Sequence, residues 1–180
     1  MAQGLFCSLL IGTILNTLGQ QFHIGFLNAI IFTLGKGEAA VGYTIGGCAS
    51  LMVGPAMAVA IGHALHAPAM VLFSLVPVGF ATNAMGGAGG PLAVLVTAVI
   101  AAEFGKAVSK ETRVDILVTP LVTIFVGVGL SMLIAAPIGA AASQVGTLIM
   151  WATEQAPLVM GILVSVIVGV ALTLPISSAA

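Results

Sequence analysis

The sequence predicts an all-α integral membrane protein: a polytopic helical bundle with broken or re-entrant helices and an interfacial amphipathic helix. Three observations predict it. The chain of 180 residues is 60% hydrophobic and 5% charged, against about 25% charged in ordinary soluble domains. Its charges fall in three places: Lys36 and Glu38; Glu103, Lys106, Lys110, Glu111, Arg113 and Asp115; and Glu154 alone. Between Glu38 and Glu103 lie 64 residues without Asp, Glu, Lys or Arg, and 38 more separate Asp115 from Glu154. One crossing takes about 20 apolar residues, so these gaps hold several. The alternating apolar and polar strands of a membrane barrel are missing.

The spans follow in order. Gly4–Leu18 is the first, closed by a polar break at Asn16, Gln20, Gln21 and His23. Ile24–Leu34 is about half a crossing at 1.5 Å rise per residue and reads as half of a bent helix or a re-entrant piece. The Gly35–Glu38 stretch is a turn. Val41–Leu65 is long enough to cross, carries the small-xxx-small pair Gly42 and Gly46, and should break or kink at Gly54-Pro55. Ala67-Pro68 marks the next turn, and Met70–Phe80 is apolar with Pro77 inside it. Asn83–Pro91, N-A-M-G-G-A-G-G-P, is a loop by local rules. Irregular backbone at membrane depth is tolerated only against protein or a water-filled cavity.

Leu92–Ala102 continues as helix to the second charge cluster. Ile116–Ala136 is the cleanest span. Pro137 is expected to begin a new segment, Ile138–Trp151, whose mixed face suits a helix lying at the interface with Trp151 and Glu154 near the headgroups. Pro157 starts the last span, Leu158–Leu174. The total is roughly six or seven crossings or part-crossings by the 20-residue yardstick. The apolar start lacks a basic flank, so it reads as a helix retained in the membrane. Lys106, Lys110 and Arg113 share one loop, which the positive-inside rule assigns to the cytoplasm.

Several function classes drop out. A net charge of -1 offers no basic face for nucleic acid. Cys7 and Cys48 lack CxxC spacing and read as small buried hydrophobes rather than as a disulfide or a metal site. There is no Walker A or GxGxxG stretch, no His/Cys metal spacing and no Ser-His-Asp constellation. No cofactor and no catalytic residue is expected in this chain.

The polar residues at membrane depth carry two readings each. His63 and His66 either contact a substrate or sit at a helix end among headgroups. Glu103 and Lys106, three apart on one helical face, suit a simple pair. Asn83 is either a turn former or an amide for ligand hydroxyls, with Gly86 and Gly87 leaving room beside it.

Several stretches together resemble a known family. V-T-P-L-V-T-I-F-V-G-V-G-L-S-M-L-I-A-A-P-I-G (Val118–Gly139) resembles the helix and Pro-Ile-Gly turn of the enzyme IIC sugar permeases of the bacterial phosphoenolpyruvate-dependent phosphotransferase system. M-V-G-P-A-M-A-V-A-I-G-H-A-L-H-A-P (Met52–Pro68) is similar to an earlier Pro-containing helix there. G-G-A-G-G-P-L-A-V-L-V-T-A-V-I-A (Gly86–Ala101) resembles the Gly-rich start of the next span. M-G-I-L-V-S-V-I-V-G-V-A-L-T-L-P-I-S-S-A-A (Met160–Ala180) looks like the helix and substrate loop of the fructose-like branch, although that branch has an acidic residue where this chain has Leu172–Ser178.

The resemblance implies a permease of the bacterial plasma membrane, multi-pass and homodimeric. It would bind a sugar that a separate soluble IIB protein, charged by IIA, phosphorylates as it crosses. The candidate substrate-binding residues are Asn83, Gly86, Gly87 and His63, read from the residues themselves, and Thr173, Ser177 and Ser178 in the loop that the resemblance points to. Such permeases are about twice as long, so residues 1–180, one transmembrane domain, are expected to be a piece of a longer chain. The residues alone leave two other readings open: an ion-coupled secondary transporter of a small polar solute, and a non-transporting membrane scaffold or sensor.

Overall fold

The computed structural model describes residues 1–35, 41–111, 115–155, 161–162 and 165–166. Helix α1 spans Ala2–Gln21 with one π-helical stretch at Phe6–Leu10. Its hydroxyls are satisfied internally, as apolar surroundings require. Ser8 Oγ donates to the Gly4 carbonyl at 2.7 Å and Thr17 Oγ1 to the Thr13 carbonyl at 2.8 Å, and Thr13 does the same toward Leu9. The polar cluster expected to end this span does so at its C-terminal members, Gln21 and His23. The helix runs through Asn16 and Gln20 and stops before His23, which holds a left-handed φ of 50°.

Ile24–Leu34 is not half a membrane helix. A short helix α2, Gly25–Asn28, precedes strand β1, Phe32–Leu34, which pairs antiparallel with β2, Val41–Tyr43. The register sets Phe32 opposite Tyr43, and their rings stack at 5.6 Å between centroids. Aromatic and β-branched residues on either side of a Gly-containing stretch of sequence favour paired strands over a helix. Apolarity alone did not distinguish the two for so short a run.

The expected Val41–Leu65 span is three elements. After β2 come α3, Ile45–Leu51, and α4, Val53–Ala64, bent by 49° from each other. Thr44 caps α3, its Oγ1 accepting from the Gly47 N–H at 3.1 Å and donating to Asn16 Oδ1 at 2.8 Å. The break falls at Met52 rather than at Gly54-Pro55. Pro55 sits in the first turn of α4, where a missing N–H leaves no carbonyl unpaired.

Three long helices complete the described chain: α5, Ala69–Gly86; α6, Gly90–Glu111; and α7, Asp115–Gln155. A single 3₁₀ turn, Gly87–Gly89, joins α5 to α6. The expected Asn83–Pro91 loop therefore shrinks to that turn, and Asn83 and Gly86 are helical. Pro137 does not begin a new segment either, since α7 runs through both Pro120 and Pro137. The expectation of a separate interfacial helix from Ile138 is corrected accordingly. Proline is tolerated inside membrane helices because neighbouring groups re-satisfy the freed carbonyls. With 41 residues, α7 is about 60 Å long at 1.5 Å per residue, which exceeds a hydrocarbon core of about 30 Å. Among the described residues four helices are long and apolar enough to cross a membrane, or five if α3 and α4 form one bent span. That is fewer than the expected six or seven; the last expected span, Leu158–Leu174, lies outside the fully described residues.

The outward face is apolar, as a lipid-facing surface must be: Phe73 is 72% and Phe125 78% exposed. The inward face is built from small residues. Along α5 the buried positions include Ser74, Val78, Thr82 and Gly86; along α6, Ala93, Thr97, Ala101 and Gly105; along α7, Thr119, Thr123, Gly127, Ser131 and Ala135. Each set repeats every fourth residue, the ridge spacing that lets helix backbones approach closely. The sets mesh in layers. A Cβ added at Gly105 would meet Thr123 and Val71; one at Gly127 would meet Val78 and Ala101. One layer further, Thr82 touches Ser131 and Thr97, and above it Gly86 lies against Ala93 and Ala135.

Candidate functional site: the Gly-rich corner at Asn83

The layers end at a corner where four segments meet. Gly54 of α4 crosses Gly79 of α5 so closely that a Cβ on either would fall on the other's carbonyl oxygen. One turn beyond, Asn83 faces both helices that flank α5. Its Cβ lies 2.6 Å from where a Gly54 Cβ would be, and its Oδ1 lies 2.5 Å from where a Gly90 Cβ would be. Side chains at 54 and 90 would displace the amide, so glycine at both positions lets it sit where it does. Gly86, buried, backs onto Gly139 of α7, whose added Cβ would stand 2.5 Å from the Gly86 carbonyl oxygen. Gly87 turns the chain with φ 49° and ψ −123°, and an added Cβ there would meet nothing within 4 Å. Its left-handed φ suits glycine, while the space beside it is open.

The Asn83 amide is half-buried and has no hydrogen bond to another of the described residues. It can donate twice and accept twice. At the preceding residue begins a buried hydroxyl junction. Thr82, Thr97 and Ser131 are each fully buried. Thr82 Oγ1 stands 2.5 Å from Ser131 Oγ and 3.2 Å from Thr97 Oγ1. Each hydroxyl also reaches the carbonyl four residues back, at Val78, Ala93 and Gly127, over 2.7–2.8 Å.

Asn83, Gly86 and Gly87 therefore share the last turn of α5 and the bend after it. His63 is exposed in the last turn of α4, at the other end of α5. From Ala69 to Asn83 the rise alone is about 20 Å at 1.5 Å per residue, so the structure does not bring His63 to Asn83. Thr173, Ser177 and Ser178 lie outside the described residues. His66, at φ 52°, closes the α4–α5 turn beside His63.

Glu103 and Lys106 form the expected pair at 2.9 Å, and Lys106 Nζ also donates to the Leu65 carbonyl at 3.1 Å. That tie fastens α6 to the end of α4, so the α4–α5 turn and the charged end of α6 share one face of the bundle. Cys7 is exposed and Cys48 half-buried, both as free thiols. The expectation that both are buried is corrected, because Cys7 lies on the outward side of α1. Among the described residues no group of three His, Cys, Asp or Glu side chains stands close enough to hold a metal.

Apolar grooves indent the outer surface of the described residues. One, about 470 Å³, runs along α1 between Leu5 and Leu18. Another, about 300 Å³, lies among Met52, Pro55, Val76, Pro77 and Phe80. Both are lined almost wholly by apolar atoms and neither includes Asn83, so they suit acyl chains better than a hydroxylated solute.

The sequence reading missed Thr82, Thr97 and Ser131. The available signal was the fourfold spacing of small residues from Thr119 to Gly139, mirrored from Ala93 to Gly105.

A bundle of apolar helices with small-residue crossings is the architecture of a multi-pass membrane protein. The model of the phosphotransferase system EIIC family covers residues 1–180, and the chain belongs to that family. No curated protein and no solved structure matches it significantly. It is thus a multi-pass membrane component of a sugar phosphotransferase system, a class that works with soluble IIA and IIB components.

Proposed function

We propose that this chain binds a sugar at the Asn83 corner and passes it across the bacterial plasma membrane to a IIB protein, which phosphorylates it. The family match over residues 1–180 carries this reading. The corner adds a chemical reason. A sugar hydroxyl is both donor and acceptor, and so is the Asn83 amide, which no other described side chain engages. Glycines at 54 and 90 keep side-chain bulk away from it, and the space beside Gly87 is open. Thr173, Ser177 and Ser178 are further candidate contacts on sequence grounds. The charged end of α6, with Lys106, Lys110 and Glu111, is the proposed cytoplasmic face on which IIB docks, and the functional unit is a dimer. The fructose-like layout, and the chain's being part of a longer permease, belong to the same proposal.

Uptake of labelled hexoses and hexitols tests it, in cells that carry the general phosphotransferase proteins and a IIB partner but lack their own IIC. Expression of the chain should confer uptake of at least one sugar. Absence of uptake across the panel, in cells that insert the protein into the membrane, would contradict it.

A further inference from the structure

We propose that Thr82, Thr97 and Ser131 form a hydroxyl junction that positions the Asn83 corner, an inference that rests on reading Asn83 as a sugar contact. Thr82 directly precedes Asn83 and shares a helix face with Gly86, one turn on. Whatever fixes Thr82 against α6 and α7 therefore fixes the last turn of α5. Three features suit the junction to that task.

First, it joins three helices at one point. Thr82 reaches α7 through Ser131, 49 residues away in sequence, and α6 through Thr97. Second, all three side chains are fully buried. Third, it has fewer protons than contacts. The hydroxyls carry one proton each, yet four bonds to their own helices and two between helices are within reach. When Thr97 donates to Thr82 and Thr82 to Ser131, all three helices are tied. When Thr82 and Thr97 donate to their own carbonyls, α6 is released. The helices hold their register through the first arrangement and can slip through the second without leaving a hydroxyl unpaired. The layers on either side offer no such tie: Gly86, Ala93 and Ala135 on one, Val78, Ala101 and Gly127 on the other are held by packing alone. In an apolar surround, cross-helix hydroxyl bonds and close packing are what fix one helix against the next.

The test is backbone hydrogen exchange of the purified full chain, with Thr82→Val, Thr82→Ser, Thr97→Val and Ser131→Ala. Valine keeps the shape of threonine and removes the hydroxyl. The peptide over residues 83–90 should exchange about tenfold or more faster in Thr82→Val, while the peptide over 69–76 stays within about twofold. Thr82→Ser should restore protection, and Ser131→Ala and Thr97→Val should change the 83–90 peptide in the same direction. If Thr82→Val does not fold, Ser131→Ala, small for small, reads the same effect. Unchanged exchange at 83–90, or equal acceleration in both peptides, overturns the proposal. Exchange is read without sugar, so it stands apart from the permease reading. In uptake, Thr82→Val should raise KM with little change in maximal rate. A shift in exchange with unaltered KM would count against Asn83 as the sugar contact and leave the junction standing.

Discussion

Gly54 and Gly79 cross with no room for a side chain on either. The carbonyl oxygen of each occupies the space where the other's Cβ would lie. Gly79→Ala must therefore push α4 and α5 apart, and overpacking of this kind costs about 1–3 kcal/mol. Thermal unfolding in detergent should show a clear loss for Gly79→Ala and Gly54→Ala. Gly129→Ala, where an added Cβ meets nothing within 4 Å, should not lower the midpoint.

Asn83→Ala separates function from stability. Because the amide bonds to no other described residue, its removal should shift stability by no more than about 0.5 kcal/mol. Sugar uptake should fall about tenfold or more, the effect of one lost hydrogen bond to a buried hydroxyl. Equal loss of both, or of neither, is the result that this reading does not allow.

His63 and Asn83 lie too far apart for one monosaccharide to span. His63→Gln should leave KM within about twofold of wild type under conditions where Asn83→Ala raises it, as expected for a side chain outside the first contacts. Parallel uptake kinetics of the two variants check this.

Lys106 ties α6 to the carbonyl of Leu65 and pairs with Glu103. The Glu103 side chain is 53% exposed, so the ion pair itself should contribute less than about 1 kcal/mol. Lys106→Met should destabilise more than Glu103→Gln, because it also removes the donor to the Leu65 carbonyl. Thermal midpoints of the two variants should rank in that order.

Much of this was legible in the chain. The charge-free stretches from Ala39 to Ala102 and from Ile116 to Thr153 gave the membrane class directly, since nothing else accommodates such runs. Glu103 and Lys106 read as a pair because three-residue spacing fixes their geometry. Punctuation was read less well. Pro137 and the Gly-rich stretch after Asn83 break helices in water, where freed backbone groups find solvent. Here α7 passes Pro137, and α5 persists to Gly86 because neighbouring backbones pack directly against it. Ile24–Leu34 was short enough for its apolarity to fit helix or hairpin, and pairing with Val41–Tyr43 decided it. The hydroxyl junction was hidden for another reason. Thr82, Thr97 and Ser131 are ordinary residues on three separate helices, and only the packing register brings them together.

The chemical form of the accumulated solute tests the central claim most directly. Cells expressing the chain with its phosphotransferase partners should accumulate labelled sugar as sugar phosphate, and accumulation should stop when the phosphoenolpyruvate-dependent phosphoryl donors are removed. Unmodified sugar gathered in an ion-gradient-dependent manner, insensitive to loss of those donors, would contradict the account and identify an ion-coupled carrier instead.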